Sequence, residues 1–212
     1  MLVEFWDFCR PSSLHTLPYM KAWHERYAEG GLRVIGVHSP GFRTSQPEEA
    51  VRGAVARLEI EYPVMIDADF LLWQDYENEG WPARYLFDGS ARLFEYHFGE
   101  GGYEETERAI QELLGEEREP LAPQRPEDAP GAELVRPSPD HVGAYSGAYE
   151  AGAVWAILEG EGEVRVNGSP LGVAGPGAYP LVEHERHTAG TIVIELGRGV
   201  SCEATCFTPG LA

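Results

Sequence analysis

Cysteine is scarce in this chain, which has three among its 212 residues: Cys9, Cys202 and Cys206. An odd number excludes a framework in which every thiol is paired within the chain. Cys202 and Cys206 are four residues apart in a run typical of a strand, so about 13 Å separates them, too far for a disulfide. Alternation along a strand predicts that both lie on one face and pack there as small apolar groups.

Positive charge and long apolar runs are also lacking. The chain has one lysine, Lys21, a net charge of -19 and a pI near 4.6, which argue against nucleic acid or an anionic membrane as a partner. No apolar stretch approaches the roughly 18 residues of a membrane-spanning helix. The first predicted strand begins almost at Met1, with no signal peptide before it, which favours a cytoplasmic location. No glycine-rich phosphate loop stands out, and we predict no cofactor.

Residues 3–18 are the most informative stretch. An apolar, aromatic run that includes Phe5 and Trp6 predicts a buried strand. A polar corner with Pro11 follows, and Ser12 and Ser13 are candidates for the N-cap of a helix. The free N–H groups and the dipole of such a helix favour a thiolate or another anion at its start.

This stretch resembles the TlpA/DipZ branch of disulfide oxidoreductases, within the thioredoxin-like superfamily. That branch has Phe-Trp, three residues, Cys-x-x-Cys, four residues and Pro. Phe5, Trp6 and Pro18 match this pattern in register, and the two cysteine positions fall on Arg10 and Ser13. The resemblance therefore implies a thioredoxin-like scaffold in which both redox cysteines are replaced.

A second match to the same family lies at Trp81-Pro82. This dipeptide resembles the family's cis-proline loop, and the hairpin turn Asp88-Gly89 follows it. The apolar periodicity between the two matches predicts alternating strands and helices. The predicted helices cover residues 14–27, a segment opening at 47, 71–76 and 103–114, and the predicted strands cover 32–38, 62–66 and 92–98.

The pattern changes after residue 114. Residues 115–139 hold six prolines without periodicity and predict an extended linker. Residues 140–212 show short strands and tight turns such as Asn167-Gly168, which predict a small all-β sandwich or jelly roll. This part is similar to the carbohydrate-binding-module-like domain of DipZ-type proteins. The predicted architecture is an α/β thioredoxin-like fold (1–114), a linker (115–139) and an all-β domain (140–212), with strands at 154–158, 164–166, 178–182, 191–196 and 200–207.

Cys9 is the candidate catalytic residue. Its position before a helix, beside Arg10, favours a thiolate, which sulfenic acid or mixed-disulfide chemistry requires. The alternative is a thiol that is merely packed. A single thiol cannot resolve its own mixed disulfide, so dithiol reductase activity is not expected. A peroxiredoxin carries Thr or Ser three residues before its reactive cysteine. This chain has Trp6 at that position, which argues against a peroxidase.

Binding without catalysis is the other use of this region. In the family, the loop that corresponds to Trp81 and Pro82 lines a groove for an extended peptide. The resemblance implies that Trp6, Arg10 and Ser13 lie beside this groove. The alternative is that the Trp81-Pro82 loop is a purely structural turn.

Two features remain in the second half of the chain. Residues 184–187 hold two histidines at a spacing suited to metal ligands, but a polar loop explains them as well, and we predict no metal site. Trp155 could stack on a sugar, although its apolar neighbours favour a place in the core.

The leading hypothesis is a binding or scaffold module of thiol–disulfide oxidoreductase ancestry, or a protein with a single redox-responsive thiol. One alternative is a one-cysteine peroxidase or mixed-disulfide-forming oxidoreductase that uses Cys9. Another is a carbohydrate- or peptide-binding protein that acts through its β domain. The partners expected are a protein thiol or disulfide, an extended peptide or a carbohydrate. Because proteins of this branch often work outside the cytoplasm, an extracytoplasmic location is the alternative to the cytoplasmic one.

Overall fold

A computed structural model describes residues 1–212 of the protein. Its first half is a five-stranded sheet with the strand order β3-β2-β1-β4-β5, in which β1, β2 and β3 are parallel and β4 and β5 antiparallel. Parallel neighbours need a crossover, and helices supply it here. The strands are β1 (Leu2–Trp6), β2 (Val34–His38), β3 (Val64–Ile66), β4 (Ala83–Phe87) and β5 (Leu93–Phe98), and the helices are α1 (Pro11–Tyr27), α2 (Glu48–Arg57), α3 (Leu71–Asp75) and α4 (Tyr103–Leu114).

The second half is made of strands. They are β6 (Leu134–Val135), β7 (His141–Val142), β8 (Gly147–Val166), β9 (Ser169–Ala174), β10 (Gly177–Ile192), β11 (Ile194–Leu196), β12 (Val200–Thr208) and β13 (Gly210–Leu211). The long strand β8 pairs with β10 and β12 along its first part and with β9 and β11 along its second. The predicted all-β domain is thus confirmed, organised around one strand of 20 residues.

Two predicted strands, 154–158 and 164–166, are parts of this single strand. The sequence between them contains Gly160 and Gly162, which are typical of a turn. Both glycines instead adopt positive φ angles, +94° and +154°, inside the strand. A Cβ at Gly160 would collide with the backbone carbonyl of Gly199, so the absence of a side chain allows a close approach rather than a reversal of the chain.

The sequence analysis explained the segment at 184–187 as a polar loop between two strands. The structure does not have a loop there. The segment lies within β10, at an irregularity in the pairing with β8. Glu183 pairs with Ala153 and Thr188 with Ala151, so β10 has five steps where β8 has two. The extra residues form a bulge, which lets a polar run interrupt the pairing without ending the strand.

The proline-rich segment between the two halves is fixed along the surface of the α/β domain. The backbone N–H of Leu121 donates to the carboxylate of Glu107, at 2.8 Å. The hydroxyl of Tyr19 donates to Asp128, at 2.9 Å. These bonds satisfy a buried carboxylate and a buried phenol of the α/β domain, so the segment has contacts that a free tether would lack.

The largest apolar core is shared by the two halves. Side chains of β1, α1, α2 and α4 meet Ala153, Trp155, Ile157, Ala204 and Cys206 of the β domain in one cluster. A second core lies inside the β domain, and a third covers the opposite face of the five-stranded sheet, under α3. The β domain therefore packs against the α/β domain through apolar side chains.

Candidate functional site

The candidate site is the corner between β1 and α1. Arg10 is the N-cap residue, with extended backbone angles, and Pro11 is the first residue of the helix, where its missing N–H costs nothing. The expectation that Ser12 or Ser13 caps the helix is wrong, because both lie inside its first turn. Ser13 instead accepts a hydrogen bond from the backbone N–H of Asp7, at 3.2 Å. No side chain caps α1.

Asp7 holds this corner in place. Its carboxylate accepts hydrogen bonds from the backbone N–H of Cys9 at 2.8 Å and of Gly41 at 2.7 Å, and from the hydroxyl of Ser45 at 3.1 Å. The side chain is fully buried. Asp7 therefore ties the start of α1 to the loop after β2, a structural task that the sequence did not reveal.

Cys9 is packed away from solvent, with 0% of its surface exposed. Burial raises the pKa of its thiol well above the ordinary value, and the negative charges of Asp7 and Glu203 raise it further, against a smaller opposing effect of Arg57. The helix start was expected to favour a thiolate. Burial outweighs that effect, because a charge in an apolar core loses its hydration.

Arg10 and Trp81 come together as the resemblance implied. The guanidinium of Arg10 lies over the Trp81 indole, 4.1 Å from the ring centroid, and 5.1 Å from that of Phe42. The Trp81–Pro82 peptide bond is cis. The indole N–H of Trp81 donates to the carbonyl of Ser39, at 2.9 Å. The groove wall expected at this loop is thus fixed by contacts within the α/β domain.

Trp6 and Ser13, the other two residues assigned to the groove, are both buried. The Trp6 ring packs edge-on against His38, with 5.3 Å between the ring centroids. Its place is in the shared core rather than on an accessible wall.

The β domain covers this corner. Trp155 packs edge-on against His15 of α1, with 5.5 Å between the ring centroids, which confirms its place in the core. A cavity of about 140 Å³ remains between the two domains. It is lined by residues of both domains, including Arg10, Ser12, Phe42, Asp140, Cys206 and Thr208.

Glu203 fastens the two domains together. Its carboxylate accepts hydrogen bonds from the backbone N–H groups of Arg43 at 2.9 Å and Thr44 at 2.8 Å, and from the Thr44 hydroxyl at 2.7 Å. Burial acts to raise the pKa of Glu203, but these bonds and the charge of Arg43 outweigh it and hold the pKa below its ordinary value. Sequence patterns do not indicate this contact, because it joins residues about 160 positions apart.

The region of β12 around Glu203 also determines where Cys202 and Cys206 lie, and it differs from the prediction. The pairing of β12 with β8 shifts by one residue between Cys202 and Ala204, which indicates a β-bulge. A shift of one residue reverses the faces of a strand. Cys202 therefore packs against the internal core of the β domain, whereas Cys206 packs in the core shared with the α/β domain. The prediction that both lie on one face is wrong.

Glu4 is a second buried acid, which the sequence analysis missed. It lies on β1 opposite Arg84 of β4, and both side chains are almost completely buried. Burial raises the pKa of Glu4 to about 8, while Arg84 acts in the opposite direction. The nearby Tyr62 hydroxyl also has a raised pKa, because of burial and of the Glu4 charge.

The structure has neither a cluster of metal-ligand side chains nor a helix suited to span a membrane. No group of three or more His, Cys, Asp and Glu side chains is arranged to hold a metal ion. None of the helices combines the length and the apolar character needed to cross a membrane.

No protein-family model matches the chain, but known proteins do. The DipZ proteins of Mycobacterium tuberculosis and Mycobacterium bovis are 32% identical over 138 residues, which is 65% of this chain and 18% of theirs. Thiol-disulfide oxidoreductase YkuV of Bacillus subtilis is 26% identical over 115 residues, 54% of this chain and 77% of YkuV. A DsbE-type thiol:disulfide interchange protein from Chlorobium tepidum superposes with a TM-score of 0.50 at 21% identity, over 54% of this chain and 79% of that one.

The first half of the molecule therefore has a thioredoxin-like fold, and an all-β domain follows it. Its relatives place the chain with thioredoxin-like proteins of the TlpA/DipZ type, and some of these relatives are named thiol–disulfide oxidoreductases. It spans about a fifth of the length of the DipZ proteins that it matches.

Proposed function

We propose that this protein is a binding or scaffold module of the thioredoxin-like type, without dithiol chemistry. The observation that carries the proposal is the residue content of the corner between β1 and α1. Arg10 and Ser13 occupy the positions at which the family pattern has its two cysteines. The cysteines that the chain does contain are all free thiols, and no two of them form a Cys-x-x-Cys pair.

The packing of the β domain supports the same proposal. Trp155 and Cys206 lie in a core shared with α1, and Glu203 binds the loop after β2. The surface on which a thioredoxin-like protein would meet a disulfide is therefore largely occupied by this chain's own β domain. An exchange reaction needs a thiolate that can approach a disulfide sulfur in line, and this arrangement offers none.

The surroundings of Cys9 count against a one-cysteine peroxidase or mixed-disulfide-forming oxidoreductase. Such an enzyme needs an accessible thiolate, and reactive cysteines have a lowered pKa and partial exposure. Cys9 has the opposite properties: a raised pKa and no exposed surface. Peroxide consumption that disappears in Cys9→Ser would support this alternative over our proposal.

The position of Trp155 bears on carbohydrate binding by the β domain. A sugar-stacking platform needs an exposed aromatic face, but Trp155 is buried against His15. A glycan site would have to use other residues of the domain. Binding of an extended peptide remains compatible with the fold.

Reduction of insulin disulfides by dithiothreitol tests the proposal. We expect the full-length protein to leave the rate of insulin precipitation at the level without protein. The matched variant is the double substitution Arg10→Cys with Ser13→Cys, which restores the family pattern on the same scaffold. Acceleration by the unmodified protein would overturn the proposal. Acceleration by the double variant alone would show that the natural protein is inactive because it lacks cysteines at positions 10 and 13.

A further inference from the structure

Strand β5 is an outer strand of the five-stranded sheet, with one edge unpaired. The backbone N–H of Gly99 donates to the carbonyl of Pro82, at 2.8 Å, and thus fixes the alternation of the ladder with β4. Since inward and outward backbone groups alternate in an antiparallel pair, those of Tyr96 and Phe98 point away from β4. These groups form a template for one more strand.

The same residues expose aromatic side chains. Tyr96 and Phe98 share one face of β5 and are 56% and 39% exposed, and Phe94, which is 43% exposed, lies at a register shift in the pairing with β4. The rings of Tyr96 and Phe98 lie 5.4 Å apart between centroids, and both contact Tyr85 beneath them. Outer strands of soluble proteins are commonly protected by charges or by proline. This face of β5 has neither and presents an apolar strip beside free backbone groups.

The opposite face of β5 carries Glu95 and His97, with Arg84 of β4 across from His97. Glu95 has a carboxylate oxygen that is buried and without a hydrogen-bond partner. Burial raises the pKa of Glu95, the Arg84 charge acts in the opposite direction, and Glu105 of α4 raises it further. A cation placed beside Glu95 and Glu105 would relieve the repulsion between the two carboxylates.

From these observations we infer that β5 binds an extended peptide segment of a partner protein, which adds a strand to the sheet with apolar side chains over Tyr96 and Phe98 and lysine or arginine side chains beside Glu95. Main-chain hydrogen bonds supply affinity in such an addition, and alternating side chains supply specificity. The inference rests on the proposed binding role but uses none of the residues at the start of α1.

Charge argues against a second copy of this chain as the occupant. A two-fold pairing of β5 with itself would put the Glu95 and Glu105 carboxylates of both copies on one face. Each copy also has a net charge of -19 and a single lysine. A basic segment is therefore the complementary occupant.

Fluorescence anisotropy tests the inference with the full-length protein and a labelled ten-residue peptide of alternating lysine and valine. We expect saturable binding that weakens by about fivefold in Tyr96→Thr, the size of one lost aromatic cross-strand contact, and by a similar factor in Glu95→Gln. The matched control is Val142→Ser, which removes a side chain that is 98% exposed on the β domain and should not change binding.

Two further probes separate strand addition from general attraction of charges. The same peptide methylated at alternate backbone nitrogens keeps its charge but loses its ladder donors, and it should bind at least about tenfold more weakly. Equal binding of the methylated peptide would overturn the inference, and this comparison needs no protein variant. Self-association of the protein alone in sedimentation, abolished by Tyr96→Thr, would identify a second copy as the occupant and would also overturn it. Insulin reduction bears on the proposed function and not on this surface, so the two can fail separately.

Discussion

Ionisation of Glu4 should make the stability of this protein fall as pH rises from about 4.5 to about 8. The pKa of Glu4 is raised from 4.5 to about 8 because the folded state buries the carboxyl group completely. Between these two values the folded state binds more protons than the unfolded state. The free energy of unfolding must then decrease with increasing pH across that interval, and it is highest below pH 4.5 as far as this group is concerned.

The magnitude follows from the width of the interval. Each pH unit is equivalent to about 1.4 kcal/mol, so the full effect of Glu4 is about 5 kcal/mol, which corresponds to about 10–20 °C in Tm for a chain of this size. Glu4→Gln keeps the shape of the side chain but cannot ionise. Its free energy of unfolding should exceed that of the natural protein by a margin that grows from pH 5 to pH 8.

Urea denaturation at pH 5, 6, 7 and 8, followed by tryptophan fluorescence, measures this margin. Glu112→Gln is the control, because it removes one acid from the exposed surface of α4 and so accounts for the change in net charge. Parallel pH profiles for the natural protein and Glu4→Gln would refute the reasoning. They would mean that Arg84 compensates the Glu4 charge fully, despite the burial of both groups.

Two further perturbations test the contacts around the start of α1. Glu203→Gln should weaken the hold on Thr44 by about 1–2 kcal/mol, because a neutral amide accepts weaker hydrogen bonds than a carboxylate, and should increase the rate at which Cys206 is alkylated in the folded protein. An unchanged rate would mean that the apolar contacts alone fasten the domains. Asp7→Asn should lower the free energy of unfolding by about 2 kcal/mol in urea, since one of the donors now bound to Asp7, such as Gly41 N–H, loses its acceptor; a change below about 0.5 kcal/mol would contradict the structural role given to Asp7.

The α/β architecture was predictable from the sequence because its signals are local. The apolar run of β1, the helix pattern of 103–114 and the hairpin turn after β4 each depend on neighbouring residues. α4 has the predicted bounds, and β5 begins one residue later than predicted. These elements bury one face each, so periodicity alone identifies them.

The errors occurred where the backbone departs from regular geometry. The bulge between Cys202 and Ala204 reverses the faces of β12, and the irregularity at 184–187 leaves a polar run inside a strand. Single residues in such positions change the direction of every side chain that follows. A sequence pattern with a period of two residues does not contain that information.

The chemistry of the candidate site was the least predictable part. The position of Cys9 before a helix indicated a lowered pKa, whereas its burial in a core completed by the β domain produces a raised one. The bonds of Glu203 to the loop after β2, and the packing of Trp155 on His15, join distant parts of the chain. Only the packing of the two domains reveals them.

Alkylation of Cys9 by iodoacetamide as a function of pH, followed by peptide mass spectrometry, tests the central claim most directly. The same protein unfolded in urea gives the reference rate for an accessible thiol. If Cys9 is a packed thiol beneath the β domain, it should stay unmodified between pH 6 and 9 until urea unfolds the protein. Modification of Cys9 in the folded protein, with an apparent pKa below the ordinary value of about 8.5, would contradict the account and restore a one-cysteine redox role.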